Sequence, residues 1–458
     1  LLSMAILIAL LVWWSISGLS GEHWVECIAS AWLVAAVVSS GIGLCQYFGV
    51  EQLFHPWMSL SVYGEAISNL RQPNQFASLT NMGLLALLWM IGQGSGKANT
   101  WWPAMAAILL GLGNAVSASR TGMVQLLLIA CIVISTGAWR RPVVRTVLIL
   151  VLLAYVASAF LLPELAGLTP DRSGILSRFQ NNGLGCGSRI ILWQNMLELI
   201  RHRPWTGWGW GELDYAHFVW AYDGPRFCEM LDNAHNLPLH LAVEWGLPVA
   251  VLVCGMAIWL TWRARPWQET DPTRQLAWGV LAVIMLHSML EYPLWYGPFQ
   301  LSLALCLGLL WPRSGLTWRL SANAYARGGL HVIALISFAA IAYTAWDYRR
   351  ISQIYLSPEQ RAVAYREDAL EKIHDSWLFR DQVRFAELTL TPLTPQNARQ
   401  LNAMAHELLH FSPEARVVEK LIESALLLGH DDEAQAFTQR YRVAYPQAYV
   451  QWLKARAE

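Results

Sequence analysis

Residues 226–246 read RFCEMLDNAHNLPLHLAVEWG, and within them a polar segment carrying Asp232, Asn233, His235 and Asn236 runs into an apolar helix. From about 163 to this point the chain is a long hydrophilic loop, and on either side of that loop apolar runs dominate. An imidazole at the lip of an apolar helix is poorly placed for packing. It is well placed to act on something that lies in lipid and reacts in water. The competing reading is a helix-capping or satisfied interfacial histidine.

Composition identifies the solvent. Of 458 residues, 55% are hydrophobic and only 14% charged, with a mean hydropathy of +0.33. A soluble domain carries roughly a quarter charged residues, so lipid is the main solvent expected here. A formal net charge of zero gives no argument for nucleic acid or an acidic partner. Many of the 25 tryptophans sit near the ends of apolar runs (Trp101, Trp102, Trp139, Trp205, Trp208, Trp210, Trp262, Trp311), as in the aromatic belts of membrane proteins. Seven cysteines show no CxxC and no Cys/His pairing. His235 and His240 are five apart, off a common helical face, and neither DxD nor HExxH occurs. No metal and no cofactor are therefore expected.

About ten stretches are long enough, or nearly so, to cross a hydrocarbon core: near 1–19, 27–48, 76–91, 101–118, 121–138, 143–162, 237–261, 275–290, 294–311 and 329–346. The split between 290 and 294 is the weakest boundary, because EYPLWYGP also reads as a reentrant bend. The chain opens on Leu1 inside an apolar run, so its start reads as truncated and 1–19 as a helix, not a signal peptide. Short loops hold Arg140, Arg141 and Arg145; Arg263, Arg265 and Arg274; and Arg313, Arg319 and Arg327. The positive-inside rule puts all three on the cytoplasmic side, and the spans between them are even in number. The 163–235 loop and everything after 346 then lie outside.

Four polar signals fall on that same outer face: RQPNQFA (71–77), SASRTG (117–122), the loop ending in DNAHN, and HSMLEYPLWY (287–296). They read as one site. Arg120 sits at a span boundary among Ser117, Ser119, Thr121 and Gly122, small and hydroxyl groups that let an anion approach; snorkelling to headgroups is the alternative. Arg189 follows Gly185, Gly187 and Ser188 at a helix start, where backbone amides and a guanidinium make an anion site, or it is a plain surface charge. TGWGWG (206–211) cannot be a continuous helix and reads as a tight apolar turn near the interface, not a nucleotide loop. Gln72, Asn74 and Gln75 suit sugar hydroxyls, or they cap the next span. Glu291 and Tyr292 stand beside Pro293 at the outer end of a span, where a buried Glu needs a partner; a salt bridge within the bundle is its plainer explanation.

After Trp346 the composition changes. Charges interleave with Ala and Leu at helical spacing, Ser412-Pro413-Glu414 reads as a helix start, and Gly429-His430-Asp431-Asp432 joins two helices in a tetratricopeptide-like hairpin. The expected fold is thus an all-α polytopic membrane protein in four parts. These are an N-terminal bundle (1–162), an outer catalytic loop (163–236), C-terminal membrane helices (237–346) and a soluble helical domain (347–458).

Together with SRIILWQNMLELIRHRPWTGWGWG (188–211) and DNAHNLPLHLAVEWG (232–246), these motifs resemble the bacterial O-antigen ligase superfamily. The closer likeness is to its protein-directed branch, the general O-oligosaccharyltransferases or pilin glycosylation ligases. In order and spacing they cover about 71–300, and the helical tail fits that branch. The resemblance implies transfer of a preassembled glycan from undecaprenyl diphosphate to a protein hydroxyl, such as a pilin Ser or Thr, without metal. The site would face the periplasm from the inner membrane. His235 would be the base and would accept the hydroxyl proton, Arg120 and Arg189 would bind the diphosphate, and direct attack would invert the anomeric centre. Gln75 or Gln72, Asn74, Asn236, Glu291 and Tyr292 would line the substrate and acceptor positions. A lipid A–core O-antigen ligase or an O-antigen polymerase shares this chemistry. A lipid-linked oligosaccharide flippase is the alternative from another class, though polar groups gathered at one face and no internal repeat speak against it. In an oxidising compartment Cys186 and Cys228 could close a disulfide, or remain two free thiols.

Overall fold

In the computed structural model, which describes residues 21–93, 101–168, 185–230, 232–310 and 324–457, the apolar runs become helices and no strand occurs among the described residues. They are α1 (Gly21–Tyr47), α2 (Pro73–Gln93), α3 (Trp101–Val116), α4 (Arg120–Ser135) and α5 (Pro142–Leu165). After the hydrophilic segment, and before the tail, come five further α-helices among the described residues. The segments His23–Tyr47, Pro73–Gln93, Pro142–Leu165, Leu247–Gln268 and His331–Tyr355 are long and apolar enough to cross a membrane, while α3, α4 and Gly297–Leu310 are apolar but shorter. The chain is a multi-pass helical membrane protein. The expected span 1–19 lies outside the described residues, as do Arg313 and Arg319.

The hydrophilic segment is itself partly helical, with α6 (Arg189–His202) and α7 (Leu213–Val219). The single span expected over 237–261 is corrected to two helices, α8 (Leu237–Trp245) and α9 (Leu247–Ala264). Gly246 breaks it: φ is +83°, and a Cβ there would run into the Trp205 backbone. The glycine loop lies against this break, with Leu247 N–H donating to Pro204 O (2.8 Å), Trp208 N–H to Val243 O (2.8 Å) and Gly209 N–H to Glu244 O (3.0 Å). Helices α10 (Pro272–Ser288) and α11 (Gly297–Leu310) follow, joined through a 3-10 turn at Pro293–Trp295, and then α12 (Ala324–Ser352).

The main core is built by α1 to α5 with α10 and α11, where Leu84, Leu87, Leu110, Ile129, Leu148, Val280 and Ile284 are essentially inaccessible. Close approach of α2 and α4 requires a residue with no side chain, because a Cβ on Gly122 would strike Ala77 and the Asn114 amide. A second core joins α6, α7 and α8 through Leu192, Met196, Leu199, Leu213, Val243 and Ala234. Cys186 and Cys228 are bridged, with Cα atoms 5.3 Å apart across 42 residues of sequence.

Beyond α12 the chain forms α13 (Ala369–Ile373), α14 (Arg380–Leu390), α15 (Ala398–Leu409), α16 (Ala415–Leu427), α17 (Asp431–Ala444) and α18 (Pro446–Ala457). Helix α16 starts just after Ser412-Pro413-Glu414, and Gly429 (φ +74°) turns the chain into α17, whose first turn carries Asp431, Asp432 and Glu433 toward the positive helix end. Their core of Leu401, Ala405, Val417, Leu421, Ala425 and Tyr441 also takes in Phe218 of α7, which stacks on Phe437.

Candidate active site

The RQPNQFA segment enters α2 through Arg71, whose φ of +58° reverses the chain. Gln72 Oε1 then accepts the Gln75 N–H at 2.6 Å, so Gln72 caps the helix. Asn74 bridges two elements: its Nδ2 donates to Glu291 Oε1 (3.0 Å), and its Oδ1 accepts from Ser119 Oγ (2.6 Å). Ser119 also caps α4 by accepting the Gly122 N–H (2.9 Å). Arg120, the first residue of α4, is left exposed.

Glu291 stands in the turn after α10, with its N–H donated to His287 O (2.8 Å). Its two oxygens take three donors. Oε1 pairs with the Arg189 guanidinium and accepts from Asn74, while Oε2 lies 2.8 Å from His235 Nδ1. The carboxylate is 8% exposed, against 33% for the Arg189 side chain and 21% for His235. Burial pushes the Glu291 carboxyl up. The His235 hydrogen bond and the positive charge of Arg189 outweigh it and hold the group below the ordinary glutamate range.

His235 adopts the left-handed conformation (φ +49°), which histidine tolerates better than most side chains but at a cost on the order of 1 kcal/mol. Two contacts hold it there. Its N–H donates to Asn233 Oδ1 (2.8 Å), and the ring sits edge-on to Tyr292 at 4.9 Å between centroids. Asn236, next in sequence, caps α8 by accepting the Leu239 N–H (3.0 Å) and donates to Met289 O (2.9 Å), tying this lip to the end of α10. Because Nδ1 faces a carboxylate, the neutral ring carries its proton there, and Nε2 keeps its lone pair.

Of the residues expected at the site, His235, Arg189, Glu291, Tyr292 and Asn74 are brought into contact. Gln72 and Gln75 line a crevice beside them with His287, Glu291, Tyr292, Pro293 and Tyr296, about 10 Å³ in size, room for one water. Asn236 is engaged in the cap and brace, and Arg120 stands at the rim beside Ser119. Sequence reading missed the layer beneath. There Ser78 lies 2.9 Å from His287 Nδ1, and Gln125 Nε2 donates to Ser78 Oγ (2.8 Å) and Val283 O (3.0 Å) while its Oε1 accepts from Asn81 (3.0 Å). The available signal was the spacing of Asn74, Ser78 and Asn81 along one face of an otherwise apolar span. Among the described residues no group of three or more His, Cys, Asp and Glu side chains is placed to hold a metal ion.

Comparison with known proteins matches three segments in order. Residues 66–90 match the family described as protein glycosylation ligase, 105–254 the O-antigen ligase family, and 275–458 the C-terminal part of virulence factor membrane-bound polymerases. A general O-oligosaccharyltransferase of Acinetobacter baylyi is 26% identical over 287 residues, covering 60% of this chain and 48% of the relative. A ComP-specific O-oligosaccharyltransferase of the same organism is 23% identical over 286 residues, covering 62% of this chain and 51% of the relative. The chain thus spans about half the length of the curated relatives it matches. No solved structure matches it. Motifs, segment order and curated relatives agree: the chain is similar to the general O-oligosaccharyltransferases, the protein-glycosylating branch of the O-antigen ligase superfamily.

Proposed function

We propose that this chain is a glycosyltransferase that moves a preassembled glycan from undecaprenyl diphosphate to a Ser or Thr hydroxyl of a periplasmic protein such as a pilin. The observation that carries the reading is the 2.8 Å contact of His235 Nδ1 with a Glu291 carboxylate that also holds Arg189. It leaves Nε2 free to take the hydroxyl proton as the oxygen attacks the anomeric carbon from the face opposite the diphosphate. The C–O bond to phosphate breaks as the new C–O bond forms, so the centre inverts. Glu291 stabilises the imidazolium that results, and Asn74 keeps the carboxylate in place. Glu291 therefore acts as a positioning group rather than a sugar ligand.

A guanidinium has five donors, so Arg189 can keep Glu291 and still grip a phosphate oxygen. Arg120 at the rim supplies the second cation for the leaving diphosphate. Tyr292, Gln72 and Gln75 line a crevice with room for one water, where a single hydroxyl of the donor or acceptor would take that water's place. In this reading the chain sits in a bacterial inner membrane with about ten spans. The site and the C-terminal hairpins, of tetratricopeptide type, face the periplasm.

The test is transfer by purified protein from undecaprenyl-diphosphate glycan to a Ser-bearing pilin, with lipid A–core and a second lipid-linked glycan as competing acceptors. Pilin glycosylation that survives chelation of divalent ions is the expected result. Transfer only to lipid A–core, or only to glycan, would replace this reading with a ligase or a polymerase. The polymerase arm is warranted by the match over 275–458.

A further inference from the structure

The glycine loop and the α8–α9 break carry a surface that the proposed chemistry does not use. Trp205 is 76% exposed and Trp210 71%, and the ring of Trp245 meets that of Trp210 at 5.6 Å between centroids. Trp245 and Leu247 are exposed as well. Arg201 and Arg203, at the end of α6, are exposed on the same segment, with the Arg203 guanidinium over the Trp208 ring at 4.3 Å. In a soluble protein such tryptophans would be an aggregation hazard. Here the patch is continuous with the start of Leu247–Gln268, a membrane-length segment of which only 6% is buried within the protein.

From this juxtaposition we infer that residues 201–210, with Trp245 and Leu247, form an interfacial anchor seated in a bilayer of anionic phospholipid. The indole rings lie at the boundary of headgroups and acyl chains, where an apolar body and a single N–H donor are both satisfied. Arg201 and Arg203 meet the lipid phosphates. The backbone bonds from 204–209 to α8 and α9 make the loop one rigid piece with the α8 helix, and Trp193 Nε1 donates to Ala234 O (3.2 Å), next to His235. The anchor therefore sets the depth at which His235 works. That last clause rests on the proposed function; the lipid contact does not.

The experiment places a photoreactive benzophenone amino acid at position 205 or 210, and at position 377 as control, since Trp377 is equally exposed (77%) but lies in the bend between α13 and α14. Each protein is reconstituted in phosphatidylglycerol-containing vesicles, irradiated, and analysed by mass spectrometry. Lipid adducts several-fold above the 377 control are expected at 205 and 210. Adducts to a second polypeptide, or lipid yields no higher than at 377, would overturn the anchor. Arg201→Gln with Arg203→Gln should lower the adduct yield about twofold in anionic vesicles and leave it unchanged in zwitterionic ones. An equal yield in both lipids would remove the arginines from the proposal. Trp205→Ser with Trp210→Ser should raise KM for a long-chain lipid donor several-fold while kcat holds, and an unchanged KM would break the link to depth. Lipid adducts at 205 and 210, together with a wild-type protein that transfers no glycan, would sink the proposed function and leave the anchor standing.

Discussion

Of the segments Pro73–Gln93 and Leu247–Gln268, the more hydropathic is the less buried: mean hydropathy is 1.3 with 78% of the window buried in the first, and 1.6 with 6% in the second. In water the order would be reversed. In lipid an apolar surface needs no shelter, whereas every polar group must find a partner inside the protein. Gln75, Ser78, Thr80 and Asn81 drive α2 into the bundle, and α9, with nothing polar to hide over most of its length, stays at the edge. The site grows out of the first helix because that is where polar side chains already meet.

The comparison is broken most sharply at Glu291. Glu291→Gln keeps the shape but removes the charge shared by Arg189 and His235, so the ring loses its orienting partner. Transfer measured in a single turnover should fall about 10⁴-fold, by analogy with loss of the acid that orients a catalytic histidine. A rate within about threefold of wild type would remove Glu291 from the mechanism.

Next in size is the bridge between Cys186 and Cys228. Opening it with Cys186→Ser should cost about 3–4 kcal/mol in the chain-entropy picture for a loop of this length. Faster proteolysis between α6 and α8, with α1–α5 intact, is the expected readout in detergent. Uniform destabilisation of the whole chain would show that the hydrophilic segment and the bundle unfold as one unit.

Gln125→Leu tests the inner layer directly. It removes the bonds of Gln125 to Ser78, Asn81 and Val283 O, and should cost about 1–2 kcal/mol in thermal unfolding. Val251→Ala on the exposed face of α9 should stay within about 0.5 kcal/mol. Equal shifts for the two variants would mean that burial inside the bundle is not what separates these helices.

The smallest effect concerns Asp214, an acid with the opposite fate to Glu291. Burial pushes it up to about 7, the Tyr215 N–H lowers it, and the charge of Glu212 raises it further. Its folded pKa lies above the ordinary aspartate value of about 4, so between about pH 4 and 7 the folded chain keeps a proton that the unfolded chain has lost. Stability from this group is therefore present below pH 4 and lost as pH rises to 7. Asp214→Asn should flatten that slope and stabilise the hydrophilic segment near neutrality by about 1 kcal/mol once solvent screening is counted. Melting curves of wild type and variant that stay parallel across the window would exclude the effect. Glu291 has the reverse sign: its support, present above the ordinary glutamate range, is lost as pH falls through its lowered value.

Hydropathy and helical periodicity marked out the apolar helices, the tail beyond Trp346 and the turn at Gly429, because each depends on neighbours within a few residues. The sequence also singled out His235, Arg189, Glu291 and Asn74 as chemically costly groups in an apolar chain. It left open whether Gln72 touches substrate or caps the next span, and it set Asn236 among the substrate positions; in this structure Gln72 caps α2 and Asn236 caps α8. It also passed over His287 and Gln125, whose polar partners belong to other helices.

What composition and spacing determined, then, was the solvent of each segment and which residues lipid could not tolerate unpaired. Only the tertiary structure decided the pairing. Arg189 and Asn74 are 102 and 217 residues from Glu291, and the break at Gly246 depends on the Trp205 backbone lying against it. Contacts at such separations leave no local periodicity, since a buried carboxylate specifies that donors must come but not which helix brings them.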